Sequence, residues 1–164
     1  MTNPRHIHWV TGKHILRYLP GTADFGIGYA SNGGVLLLGY IDFDWGGSIV
    51  DRKSTSGYCF NLGSAMISWS SRNQGSVAQS TAESKYITAS TAYREVVWLR
   101  KLLGGLFSEK IQPTVIRCDN QSCIKLSENP MFHVKLKHIE MKCHFIQDMD
   151  QKCIVKLQYI DNDE

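Results

Sequence analysis

The sequence predicts a mixed α/β domain, a five-stranded sheet with helices on its faces. Three observations point to it. Three strand-forming stretches follow one another over residues 35–70, a long helical periodicity covers residues 80–107, and strand-like and helical stretches then alternate to the C-terminus. Strands that follow the first long helix rejoin the same sheet through helical crossovers.

The elements can be justified in order. Residues 7–19 pattern as a short amphipathic helix, weakened by Gly12 and closed by Pro20, Gly21 and Thr22. Residues 25–30 read as a strand, closed by Ser31, Asn32, Gly33 and Gly34. Residues 35–45 form a continuous apolar run that ends in acidic residues, the pattern of a central strand buried on both faces. A turn rich in Gly, Asp and Arg follows, and residues 57–62 and 66–70 add two strands joined at Gly63 and Ser64. Together the three make an antiparallel meander.

The helix over residues 80–107 has the clearest period: Ala82, Tyr86, Ala89, Ala92, Val96, Leu99, Leu103 and Leu106 recur at steps of three and four. Gly104 and Gly105 should end or fray it. Residues 114–118 are a short β-branched strand, 120–128 a short helix closed by Asn129 and Pro130, 135–151 another helix, and 153–160 an alternating final strand. The first thirty residues read as an appendage to this domain.

Composition bounds the function. Of 164 residues, 43% are hydrophobic and 20% charged, the balance of a folded globular chain. The longest apolar run, residues 35–38, falls far short of the roughly 18 residues a membrane span needs. No secretion signal follows Met1. Five cysteines without CxxC spacing (Cys59, Cys118, Cys123, Cys143 and Cys153) suit reduced thiols in an intracellular protein. The net charge of +3 permits a nucleic-acid partner without indicating one.

Asp42 lies within the first central strand and Asp119 at the end of the fourth. If those strands are neighbours, both carboxylates can face one side near one end of the sheet. Paired Asp oxygens are hard ligands suited to Mg²⁺, and two such ions can support phosphodiester hydrolysis. Acids at strand ends also serve simply as solubilising caps.

Seven stretches carry a resemblance: HWVTGKHILRYLPGT, GYIDFDWGG, DRKSTSGYCF, ISWSSRNQ, STAESKYI, CDNQSCIKL and NPMFHVKLKHIEMKCHFI. In these, and in their order, the chain resembles the RNase H region of copia-type LTR-retrotransposon polyproteins, with the tail of the reverse transcriptase before it. The resemblance implies the RNase H fold over residues 31–164, a reverse-transcriptase tail over residues 1–30, and two-metal cutting of the RNA strand in an RNA–DNA hybrid. It further implies Mg²⁺ or Mn²⁺ as cofactor and hybrid or other nucleic acid as partner. The reverse-transcriptase portion would be a second partner, with no membrane involved, in a cytoplasmic particle or the nucleus. The family's first catalytic Asp falls on Asp42 and its third acid on Asp119. Its fourth acid would lie a few residues beyond the LQYIDNDE segment, so the domain is expected to be truncated.

The family's second acid is the departure. Where the pattern reads S-T-x-E-x-E-Y, this chain reads Ser80-Thr81-Ala82-Glu83-Ser84-Lys85-Tyr86. At about 100° per residue, Lys85 falls within about 20–40° of the centre of the apolar stripe and Glu83 roughly 145° away. The sheet-facing position therefore carries Lys85, and Glu83 suits a capping box with Ser80; as a metal ligand it remains the alternative. A lysine there should cripple metal-dependent cleavage, leaving a silent module that binds nucleic acid or a structural remnant docked through residues 7–19. Ile41 and Phe43 in place of small residues, Pro20 in place of Lys, Gly12 in place of an apolar residue and Leu136 in place of Thr fit a decayed element.

Arg52, Lys53 and Ser54 in the first hairpin could grip backbone phosphates; equally, they could form a charged turn. Arg72, Asn73 and Gln74 could meet the minor groove of a hybrid, where 2′-hydroxyls mark RNA, or simply form a polar loop. Trp45 and Trp69 could stack on bases or sugars, but aromatic residues at strand ends read first as core. His133, His138 and His144 read as structural or surface histidines, with His144 and Phe145 docking their helix on the sheet.

Overall fold

The computed structural model describes residues 3–30, 34–44, 46–47, 52–78, 80–108, 110–119, 121, 124–125 and 137–161. Helix α1 spans His6–Gly21, followed by strands β1 Leu37–Asp44, β2 Thr55–Leu62 and β3 Ala65–Asn73. Helix α2, Thr81–Phe107, leads to β4, Thr114–Cys118; α3, Lys137–Gln151, leads to β5, Val155–Tyr159. The strand order is β3-β2-β1-β4-β5. The β1–β2 and β2–β3 pairs are antiparallel, whereas β1–β4 and β4–β5 are parallel. The mixed five-stranded sheet and its initial meander are as expected.

One face of this sheet is the core. Along β1, Leu37, Gly39 and Ile41 are buried and the residues between them are not, as the two-residue period of a strand dictates. The register aligns Phe60, Gly39, Ile116 and Leu157 in one row across four strands, and all four are buried. Gly39 is required there: a Cβ at this position would stand 2.5 Å from Cε1 of the Phe60 ring. Helix α2 covers β1 and β2, α3 packs beside α2 and reaches β5. Tyr86, Ala89, Tyr93, Val96, Leu99 and Ile146 fill the interface. Arg100 fastens α2 to the approach of β4, donating to the carbonyls of Ile111 (2.8 Å) and Gln112 and to Thr114 Oγ1 (3.3 Å).

The structure differs from expectation at several elements. Strand β1 alternates rather than being buried on both faces, because α2 and α3 lie together on one side. Residues 25–30 form no strand; they are held by side chains, with Tyr29 donating to the Met66 carbonyl at 2.8 Å and Ser64 Oγ accepting from the Ala30 amide at 2.9 Å. Helix α1 carries Pro20 within its last turn and contributes no buried residue. Helix α2 continues through Gly104 and Gly105 and stops at Ser108, whose φ of 53° is left-handed. Ser31, Asn32, Gly33, Trp45, Cys123, Asn129, Pro130, His133 and Leu136 lie outside the described residues, as does most of the expected helix over 120–128.

Candidate functional site

The parallel pairing of β1 with β4 brings the two aspartates together in sequence register. Ile41 faces Cys118 in the last paired row. Asp42 and Asp119 each come one residue later, on adjacent strands at the same sheet end, and both are exposed. Strand alternation turns Asp42 away from the α2 face that Ile41 and Phe43 occupy. On its other side Asp42 pairs with Gly57 of β2.

Position 85 reaches the same strand. Lys85 is 8% exposed, and its Nζ sits 5.3 Å from the centroid of the Phe43 ring. The sheet-facing placement of Lys85 therefore holds, one residue along β1 from Asp42. Glu83 is placed differently from expectation. Its amide donates to Ser80 Oγ at 3.1 Å, so the N-cap is present, but the residue is only 5% exposed. It turns towards α3. Burial and the Arg94 guanidinium push the Lys142 ammonium down from its ordinary range, and the Glu83 carboxylate opposes them. The helical wheel set Glu83 well away from the sheet-facing stripe, and the burial comes from α3, which covers that flank.

The donor set does not fit a two-ion site. Asp42 and Asp119 offer hard oxygens, but the third position supplies an ammonium, and Glu83 serves the α2–α3 interface. Among the described residues no three His, Cys, Asp or Glu side chains form a group that could hold a metal ion.

The basic hairpin end lies beside this site. Arg52 is exposed in the left-handed region at φ 55°, and Lys53 is half-buried. Ser54 faces inward at 1% exposure; its Oγ accepts from the Gly46 amide at 3.2 Å and its carbonyl from the Gln74 amide at 2.8 Å. Arg72 is exposed on β3 opposite Ser56.

Two polyproteins align with almost the whole chain. The retrovirus-related Pol polyprotein from transposon TNT 1-94 of Nicotiana tabacum is 38% identical over 164 residues, all of this chain and 12% of that protein. The Pol polyprotein from transposon RE2 of Arabidopsis thaliana is 38% identical over 160 residues, 98% of this chain and 11% of that protein. The chain belongs to the copia-type Pol polyproteins. It spans about one-eighth of the length of these relatives. No family profile matches the chain. LC11-RNase H1, isolated from compost by a metagenomic approach, superposes with a TM-score of 0.56 over 79% of this chain and 87% of that one, at 13% identity. That likeness establishes an RNase H fold for this Pol segment.

The remaining candidates of the Pol segment divide between surface and interior. Trp69 is 68% exposed rather than core; it lies on the edge strand β3 beyond the register shift at Ile67. His144 does not dock α3: its side chain is 72% exposed and lies 3.8 Å from Glu140 one turn earlier, while Phe145 packs against the core. His138 falls within α3, but its side chain is outside the described set. Among the described residues, Cys59, Cys118, Cys143 and Cys153 are not joined in disulfides. No described helix is long and apolar enough to cross a membrane.

Gln74 was expected at a minor groove, yet it is 4% exposed. Its Nε2 donates to Ser56 Oγ (2.8 Å), the Ser84 carbonyl and Oγ (both 3.0 Å) and Thr88 Oγ1 (3.4 Å). Ser56 Oγ and Thr88 Oγ1 are 2.7 Å apart. Sequence reasoning missed this cluster. Its signal was available: Ser84 and Thr88 are polar residues one turn apart on the buried side of α2, where an unpaired hydroxyl would be costly.

Proposed function

We propose that this Pol segment is an RNase H-like domain that binds RNA–DNA hybrids and whose strand-cutting activity is disabled by Lys85. The observation that carries the reading is the buried ammonium of Lys85 over Phe43, next along β1 from Asp42. A carboxylate pair such as Asp42 and Asp119 suits Mg²⁺ or Mn²⁺, and when bound such ions supply the Lewis acidity that phosphodiester hydrolysis needs. Lys85 lies on the α2 face of β1 and the Asp42 side chain on the other, so the fixed positive charge acts across the strand and weakens the hold of Asp42 on a dication by Coulomb's law. Arg52, Lys53 and Arg72 would hold the hybrid through phosphate contacts, which position without reading sequence. A solved structure of LC11-RNase H1 in complex with an RNA/DNA hybrid shares the fold at a TM-score of 0.53, which supports hybrid as the partner class. Residues 1–30 would form the tail of the reverse transcriptase, with the exposed Ile7, Trp9, Ile15, Leu16 and Leu19 of α1 meeting that portion of the polyprotein.

The test is cleavage of a labelled RNA–DNA hybrid in Mg²⁺ and in Mn²⁺. Three proteins are compared: the chain as given, Lys85→Glu, and Lys85→Glu extended through the acidic segment of the relatives. The chain as given should bind hybrid in the presence of a chelator and cut none. The extended Lys85→Glu protein should cut, and Asp42→Asn in that background should abolish cutting. Cleavage by the chain as given, lost on Asp42→Asn, would show that Lys85 is not disabling. Failure of the chain to bind hybrid would remove the nucleic-acid reading.

A further inference from the structure

Gln74 sits where three parts of the candidate site meet. Ser56, which accepts from its Nε2, is paired with Phe43 on one side and Arg72 on the other. Ser84, which accepts twice, immediately precedes Lys85. Ser54, whose carbonyl accepts from the Gln74 amide, immediately follows Lys53. One side chain thus joins the start of β2, the end of β3 and the first turns of α2.

The orientation of the amide is fixed by chemistry. The Ser84 carbonyl can only accept, so the nitrogen of Gln74 must point at it. The oxygen is left on the other side, where Oε1 is buried with no hydrogen-bond partner. A buried group with one end fully engaged and the other end empty is a poor solution for stability alone. It suits holding elements together, because acceptors from β2 and from two turns of α2 converge on one nitrogen.

We propose that Gln74 is a positioning residue for this site. Its side-chain amide clamps the first turns of α2 to the ends of β2 and β3. It thereby sets Arg72, Lys53 and the side chain at position 85 relative to Asp42. The proposal rests on the reading of this surface as the hybrid-binding one. It makes Gln74 a residue that acts through others, since its own side chain is sealed from any substrate.

The test uses the full chain. Hybrid affinity is measured by fluorescence anisotropy for the chain as given, Gln74→Met, the pair Lys53→Ala with Arg72→Ala, and all three substitutions together. Gln74→Met should weaken binding about tenfold, and by no more than about twofold when the two basic residues are already gone, a coupling that contacting or mechanically linked sites show. Equal losses in both backgrounds, or no loss, would overturn the proposal. Amide hydrogen exchange decides the clamp independently of binding. In Gln74→Met, and to a smaller extent in Thr88→Val, amides of residues 54–56 and 83–88 should exchange about tenfold faster while those of β4 and α3 hold their rates. If the chain as given fails to bind hybrid, the functional reading falls and localised exchange still supports the clamp. Exchange that changes nowhere, or everywhere alike, removes the clamp whatever the hybrid does.

Discussion

At the residue scale, this domain turns on positions where one side chain has no substitute. Gly39 is one. Its neighbours across the sheet are the Phe60 ring and Ile116, and an added methyl would stand 2.5 Å from Phe60 Cε1 and 3.1 Å from Ile116 Cγ1. Phe60 is fully buried and cannot swing aside. Gly39→Ala is therefore expected to cost about 1–3 kcal/mol, the usual range for overpacking a tight core, read as a lowered urea midpoint with unchanged slope. Ser80 is another. Its hydroxyl accepts the Glu83 amide at the N-terminus of α2, and Ser80→Ala should cost about 1 kcal/mol. That loss matters beyond stability, because the turn it caps carries both Glu83 and Lys85.

At the scale of elements, α2 shows how tertiary packing overrides propensity. Gly104 and Gly105 lie within the helix, although each glycine costs roughly 0.5–1 kcal/mol relative to alanine. The packing of Leu103 and Leu99 into the core holds the helix through them. Gly105 is exposed, and nothing lies within 4 Å of where its Cβ would be. Gly105→Ala should thus stabilise the chain by about 0.5–1 kcal/mol, seen as a higher Tm; an unchanged or lower Tm would mean that the last turn is not helical in solution.

The same elements show what a sequence can convey about a site. The proximity of Asp42 and Asp119 was legible, because a short apolar strand reached through a helical crossover runs parallel to a central strand, and Asp119 follows that strand while Asp42 lies near the same end of β1. The inward turn of Lys85 was legible from helical period alone. The burial of Glu83 was not, because the wheel has no knowledge of α3, and its contact depends on a helix that begins more than fifty residues later. Gln74 was illegible for a related reason: its partners come from β2 and from two turns of α2, and no local pattern links the three. Residues 25–30 misled because their alternation reads as a strand, whereas they lie beside the start of the edge strand β3 and bond to it through the side chains of Tyr29 and Ser64 rather than through a backbone ladder.

At the scale of the whole molecule, alkaline pH should loosen the fold, and the groups responsible can be named. Burial pushes the thiols of Cys59 and Cys143 above their ordinary value of 9.0. Burial, with the Glu95 carboxylate adding to it, pushes the Tyr58 hydroxyl above 10.0. For each, the unfolded chain releases its proton first, so the folded state binds more protons over that window and stability falls as pH rises through it. Lys142 acts in the opposite sense. Its pKa is lowered from 10.5, chiefly by burial, so the unfolded chain holds that proton longer and stability recovers as pH climbs towards 10.5. The two thiols have the lowest ordinary pKa of these groups, so their loss opens the alkaline response. The urea midpoint should therefore hold level from about pH 7 to about 8.5 and decline above it. Replacing Cys59 and Cys143 together by Ala lowers the midpoint at every pH by removing packed atoms, but it should also flatten the first part of the alkaline decline. A decline of the same steepness in the double variant would place its origin outside the two thiols. A flatter one would show that the core beneath the half-buried sheet face and the α3 flank excludes charge while the fold is intact.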